Sequence, residues 1–189
     1  SVLNLKDKTA KDVLNDMDNL RKRNTKKVQK NGVKVKFLSE DELPIFRSFM
    51  EDTSESKEFL DRDDSYYYDR YKHFKDRVLV PLAYIYFDEY LEELNNEKAT
   101  LTKDLNKALK DIEKRPENKK SHNKKANLEQ QLAANQQKID EAQQLQAEHG
   151  NELPISAGYF FINPFEVVYY AGGTSNKYRH FAGSYAVQW

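Results

Sequence analysis

The chain has 189 residues with 31 basic and 31 acidic side chains, so its net charge is zero and no global field draws in nucleic acid. It has no cysteine, which excludes disulfides and thiolate chemistry and fits a reducing compartment. No run reaches the roughly 18 apolar residues of a membrane span, and the opening SVLNLKDKTAKDV lacks the apolar stretch of a signal peptide.

Ser1–Leu5 reads as the tail of a strand. Thr9, with Asp12 three residues on, has the pattern of a capping box. The helix it opens carries Val13, Leu14, Met17, Leu20 and Val28 on one face and ends at Asn31-Gly32, where glycine suits the left-handed residue after a helix. Val33, Val35 and Phe37 alternate with Lys34 and Lys36, as in a half-buried strand. Ser39 and Glu42 mark a second helix bearing Leu43, Phe46, Phe49 and Met50. The polar stretch 51–64 reads as a loop with an apolar anchor at Phe59–Leu60. Residues 65–76 then form an aromatic helix with Tyr67, Tyr71 and Phe74 on one face.

Residues 77–87 (RVLVPLAYIYF) and 153–172 (LPISAGYFFINPFEVVYYAG) read as sheet. Between them the sequence is highly polar, with one proline and no glycine before Gly150. It predicts two helices, residues 88–115 and 121–149, separated by a turn at Pro116-Glu117-Asn118. Leu91, Leu94, Lys98, Leu101, Leu105, Ala108 and Ile112 step alternately by three and four, as in a coiled-coil seam. Leu128, Leu132, Asn135, Ile139 and Ala142 follow the same stepping. Each leg would extend about 40 Å, and Lys98 and Asn135 would be polar seam positions that fix register. The short turn favours pairing of the legs with each other over pairing with a second copy. Strands follow near residues 155–162 and 166–170. Gly172-Gly173-Thr174-Ser175 is expected to turn the chain, and a last helix starts near Lys177. The sequence stops within an amphipathic run, Tyr185–Trp189, and reads as a piece of a longer protein.

Three groups of residues could carry chemistry. Arg21, Lys22, Arg23, Lys26 and Lys27 make a basic helix face able to hold phosphates, although such a face is more often simply solvated. Arg62 and Tyr66 lie four apart where a loop enters a helix, beside Asp61, Asp63 and Asp64. There an arginine could clamp a diphosphate, or join a local ion-pair network. The Gly172–Ser175 segment could bind an anion through backbone donors, or be a plain turn. Tyr169 and Tyr170 point to opposite faces of their strand. The four histidines are scattered, so no metal site is expected, and no nucleophile–base–orienter triad is visible; catalytic residues are not identified.

The segments LRKRNTKKVQKNGVKVKFLSEDELPIFRSFMEDTSES, KDRVLVPLAYI, LNKALKDIEKRPENKK, ELPISAGYFFINPFEVVYYAGGTS and RHFAGSYAVQW together resemble the FemABX peptidoglycan peptidyltransferases across essentially the whole chain. The resemblance implies an α+β fold: a partial acetyltransferase-like (GNAT) mixed sheet with helices, carrying an inserted antiparallel coiled-coil arm. Residues 1–87 and 151–189 would be parts of that subdomain, the second truncated, and residues 88–150 the arm. It further implies a cytoplasmic aminoacyltransferase acting at the inner face of the cell membrane. Glycyl-tRNA would be the co-substrate, with no other cofactor. Glycine would pass to the lipid-linked peptidoglycan precursor as the second and third residues of a pentaglycine bridge. Related bridge-forming transferases are expected partners; DNA is not. By resemblance, Arg62 and Tyr66 match a pair that contacts the nucleotide-sugar diphosphate and peptide, and Tyr169 or Tyr170 an aromatic of the acceptor channel. The arm invites comparison with that of seryl-tRNA synthetase, yet residues 88–150 hold 11 basic and 13 acidic side chains, with no net attraction for RNA. Parts of the whole enzyme would lie outside this chain, so the piece alone is expected to be inactive. The other reading is a non-catalytic coiled-coil interaction module on a small α/β domain.

Overall fold

The computed structural model describes residues 2–58 and 61–189, with the backbone alone at Gln29 and Asp64; the expected anchor at Phe59–Leu60 lies outside the described residues. The chain divides into two compact units, residues 1–85 with 154–189, and residues 86–153.

In the first unit, residues 2–5 form no strand; Val2, Leu3 and Leu5 are exposed. The single helix expected after Thr9 is two, α1 (Ala10–Asp16) and α2 (Asn19–Lys30). The Thr9–Asp12 capping box opens α1. Asp18 interrupts the run because its carboxylate accepts from the Arg21 backbone N–H at 2.8 Å and caps α2. The apolar face that seemed continuous therefore breaks, and Leu20 is exposed.

Strand β1 (Val33–Phe37) forms as expected, but its apolar side is not covered: Val35 is 42% exposed and Phe37 61%. It lies at the end of the sheet and pairs on one side only, with β3. After the Ser39–Glu42 capping box, a 3-10 turn leads into α3 (Leu43–Lys57). The helix continues through residues 51–57, where a loop was expected. There the Thr53, Ser54 and Ser56 hydroxyls bond back to carbonyls three or four residues earlier, and Thr53 is buried. Packing on the sheet thus overrides weak helix propensity. Helix α4 (Asp64–Phe74) buries Tyr67, whereas Phe74 is 47% exposed.

The run at residues 77–87 splits into β2 (Val78–Leu79) and β3 (Pro81–Tyr86). Pro81 has no N–H to donate, and the two segments are flanked differently: β2 pairs with β4 (Glu152–Ile162), whereas β3 lies between β1 and β4. Strand β5 (Val167–Thr174) is antiparallel to β4. Residues 172–174 are thus strand, not turn. The chain then makes a 3-10 turn at Arg179–Phe181, and α7 (Gly183–Gln188) starts six residues later than expected. The core lies between the sheet and α3–α4. Phe46, Tyr67 and Tyr159 meet there with ring centroids 5.0–5.5 Å apart, surrounded by Leu43, Phe49, Met50, Val80 and Leu82. Fully burying a side chain of this size contributes about 1.5–3 kcal/mol.

The second unit is a helical hairpin, α5 (Phe87–Lys114) and α6 (Lys119–His149), within two residues of the expected bounds. Asn118 caps α6 by accepting from Lys120 N–H at 3.1 Å, and Gly150, at φ 79°, ends it. Leu94 and Ala108 are buried on α5, and Leu128, Asn135, Ile139 and Ala142 on α6. At the base, Asn151 accepts from Asp88 N–H at 3.0 Å and donates to the Asp88 carboxylate at 2.6 Å, tying the two ends of the hairpin.

Candidate functional site

The site grows from a buried ion pair. Arg47 of α3 and Asp61 stand 2.5 Å apart, each side chain about 10% exposed. The Tyr67 hydroxyl donates to Asp61 at 3.1 Å, and the Arg62 N–H donates to the same carboxylate oxygen at 2.7 Å. This fixes the chain just before Arg62. Asp63 is occupied as the cap of α4, accepting from Tyr66 N–H and from the Ser65 hydroxyl, both at 2.9 Å. Those bonds, the Ser65 hydroxyl first, hold its carboxyl below the usual range. Two of the three acids beside Arg62 are thus engaged elsewhere, and the Arg62 guanidinium faces the Tyr66 ring, 5.3 Å from its centroid.

Tyr66 is the centre of the cluster. The Arg70 guanidinium lies 3.3 Å from its ring centroid and donates to its carbonyl at 3.1 Å. Its hydroxyl meets that of Tyr170, and the two rings stack with centroids 6.2 Å apart. The hydrogen bond to Tyr66, followed by burial, pushes the Tyr170 hydroxyl pKa above its ordinary value. Tyr170 also packs edge-on against Phe161, at 5.2 Å.

Two clefts flank this pair. One, about 580 Å³, is lined by Tyr66, Arg70, His73, Arg77, Phe161 and Tyr170. The other, about 360 Å³, is lined by Lys57, Asp61, Arg62, Tyr67 and Tyr170 among others. The structure therefore brings Arg62, Tyr66 and Tyr170 together. Tyr169 points to the other face of the sheet, its ring 5.0 Å from that of Phe160. Of the basic helix face, Arg21 pairs with Asp18 and Lys22 reaches the Asn15 carbonyl at 3.3 Å. Lys22, Arg23, Lys26 and Lys27 line a shallow surface along α2, and Lys27 also lines a pocket with residues of β5.

Arg70 was missed in the sequence, although it stands one helical turn after Tyr66 and its reach to that ring was legible. Arg47 could not be found in this way, because its partner Asp61 is fourteen residues away across a change of element. Residues 172–174 offer no anion-binding turn, since they pair along the ladder from Gly158↔Gly172 to Ser156↔Thr174. Their glycines serve close packing. A Cβ on Gly173 would stand 2.6 Å from the Phe49 carbonyl carbon, and one on Gly172 2.9 Å from the Ala157 carbonyl oxygen. Among the described residues no cluster of His, Asp or Glu could hold a metal ion, and no helix is long and apolar enough to cross a membrane. The clefts offer hydroxyls, guanidinium groups and aromatic faces: equipment for binding and orienting an anionic or polar ligand.

The family model for the FemAB family matches residues 1–189. The chain is 81% identical over all 189 residues to "Aminoacyltransferase FemA" of Staphylococcus epidermidis and 79% identical to that of Staphylococcus aureus. It spans 45% of the length of each of these relatives. A solved structure described as that of FemX superposes with a TM-score of 0.79 at 23% identity, covering 96% of this chain and 46% of that one, which establishes a shared fold. On the match along its entire length and on these identities, the chain belongs to the FemAB family.

Proposed function

We propose that the chain is part of an aminoacyltransferase that builds the interpeptide bridge of peptidoglycan. The observation that carries this reading is its 79–81% identity, over every residue, to proteins named aminoacyltransferases. At finer grain, the donor is glycyl-tRNA, and the glycines added are the second and third of a pentaglycine bridge. The acceptor is the lipid-linked precursor, met at the inner face of the cell membrane by a cytoplasmic enzyme that works beside related bridge-forming transferases and uses no further cofactor. The sheet is acetyltransferase-like, and the hairpin is a coiled coil whose seam follows the heptad stepping. The part of the enzyme outside this chain completes the acceptor cleft, so the chain alone is inactive.

The cluster at Tyr66 suits the acceptor end of such a reaction. Arg62 supplies a fork for a diphosphate, while Tyr66 and Tyr170 present hydroxyls for the peptide or sugar. Tyr170 is the channel aromatic rather than Tyr169, because it alone of the two faces Tyr66. Arg21, Lys22, Arg23, Lys26 and Lys27 offer α2 as a surface for tRNA phosphates. An aminoacyl ester is already activated. The protein must hold a neutral amine close to the carbonyl and stabilise the oxyanion, and that needs positioning more than a nucleophile.

Glycine transfer from charged tRNA to lipid-linked precursor, measured with the full-length protein, tests this reading. Arg62→Ala is expected to raise the acceptor KM at least tenfold, the loss of one charge-assisted contact of about 1.5–3 kcal/mol. Unchanged turnover and KM would remove Arg62 from the site, and failure of the wild-type protein to transfer glycine would remove the reading itself.

A further inference from the structure

Along β5, between the end of α3 and helices α2 and α7, lies a pocket of about 450 Å³ that adjoins the smaller Tyr170 cleft through Thr53, Lys57 and Gly172, within the size range of small-ligand sites. Three cations from three separate elements line it: Lys27 of α2, Lys57 at the end of α3, and Arg179 after β5. None of its lining residues is acidic. Among the described residues no ion pair brings a carboxylate to any of the three cations. Arg179 donates to the Asn176 side-chain oxygen at 2.6 Å, a neutral partner that orients the guanidinium and leaves its charge uncompensated. Tyr169 and Tyr185 add aromatic surface to the same pocket.

We propose that this pocket is a binding site for a phosphate ester carrying a ring, a nucleotide in chemical class. Like charges gathered from separate elements repel one another unless an anion joins them. Lysine and arginine together suit phosphate, by point charge and planar fork respectively. The tyrosines suit a base, since base–aromatic stacking is tolerant of base identity. Helix α2 contributes Lys27 alone to this pocket among its cations, and the site stands whether or not the transferase reading holds.

The test is equilibrium binding of adenosine monophosphate and of inorganic phosphate to the full-length protein, by titration calorimetry at low salt. Adenosine monophosphate is expected to bind more tightly than phosphate. Arg179→Gln and Lys27→Gln should each weaken it about tenfold or more, the loss of one charge-assisted contact. Tyr169→Leu should weaken the nucleotide and spare phosphate, while Lys107→Gln, at an exposed lysine of α5 paired with Asp104, should change neither. Lys27 and Arg179 are exposed, so their variants are expected to keep the wild-type circular dichroism spectrum, which separates lost binding from lost fold. Absence of saturable binding, or affinity unchanged in Arg179→Gln, would overturn the site. Equal affinity for phosphate and nucleotide would overturn its assignment to a nucleotide.

Discussion

Gly173→Ala separates two physical roles for one glycine. In a strand with no obstruction, Gly→Ala stabilises by about 0.4–1 kcal/mol, because the unfolded chain loses freedom. Gly173 has no positive φ to defend. It is buried in β5, and the new Cβ would stand 2.6 Å from the Phe49 carbonyl carbon and 2.7 Å from the Thr53 hydroxyl oxygen. Carbon atoms pack best at about 3.5–4.0 Å, so α3 would have to lift by roughly 1 Å. The nearest obstacle is backbone and cannot rotate aside. Lifting α3 also draws Phe46, Phe49 and Met50 out of contact with the sheet, and a gap of 0.5–1 Å forfeits about a quarter to a half of each dispersion contact. The expected net effect is a destabilisation of about 1–3 kcal/mol, the usual cost of overpacking. Gly150→Ala is the control: its φ of 79° and ψ of −162° lie in a region essentially reserved for glycine, and nothing lies within 4 Å of the new Cβ, so it should cost only that backbone strain, about 1–3 kcal/mol. Urea unfolding of the full-length protein measures both. If Gly173→Ala were neutral or stabilising, the close approach of α3 to β5 would be wrong.

Arg47→Met should cost about 3–5 kcal/mol by stranding Asp61, and adding Asp61→Leu should recover much of that, as a double-mutant cycle in urea would show. Burial, then Glu141, Glu97 and Glu93, push the Tyr90 hydroxyl up to about 12. Its contribution is therefore complete below the ordinary tyrosine value of about 10 and is lost as pH rises from there towards 12, at about 1.4 kcal/mol per pH unit. Tyr90→Phe should flatten that loss in urea midpoints taken across the same window; an equally steep decline would refute it. Asn135 is buried with its side-chain carbonyl unpartnered, while its amide donates to the Leu94 carbonyl at 3.3 Å and to Glu97 at 3.1 Å. Asn135→Leu should slow amide exchange in α5 and α6 by stabilising the hairpin about 1 kcal/mol; faster exchange would show that its hydrogen bonds outweigh the orphaned oxygen.

The hairpin was the most legible part of the sequence because its signals are local: stepping by three and four, a proline at the turn, glycine at the end. The capping boxes at Thr9 and Ser39 were legible for the same reason, since each is closed by a residue three positions away. The errors fall where a distant partner decides. Residues 51–57 look like loop until α3 is set against the sheet. Gly172-Gly173 looks like a turn until the Phe49 carbonyl is placed over it. Asp18 is different: its capping role is local, but a continuous apolar pattern masked it. In the candidate site, Arg62 and Tyr66 were visible as a spaced pair, whereas their union with Tyr170 joins residues 104 apart in sequence.

One irregularity connects the sheet to the site. Along β4 and β5, Phe160 pairs with Tyr169 and Tyr159 with Ala171, so Tyr170 is an extra residue, a β-bulge. Phe161 and Tyr159 share the core face of β4, and cross-strand partners share a face. The bulge therefore puts Tyr170 on the core side together with Ala171, where its ring meets Phe161, Tyr159 and Tyr66. The same shift sets Gly173 opposite Ala157, beneath α3, the position at which a side chain has no room. Paired without the bulge, the same strand would change face at every position beyond Tyr170: Ala171 and Gly173 would leave the core side, and Gly172 would lie under α3 in place of Gly173. The bulge thus keeps Tyr170, Ala171 and Gly173 together on the face that meets α3 and Tyr66.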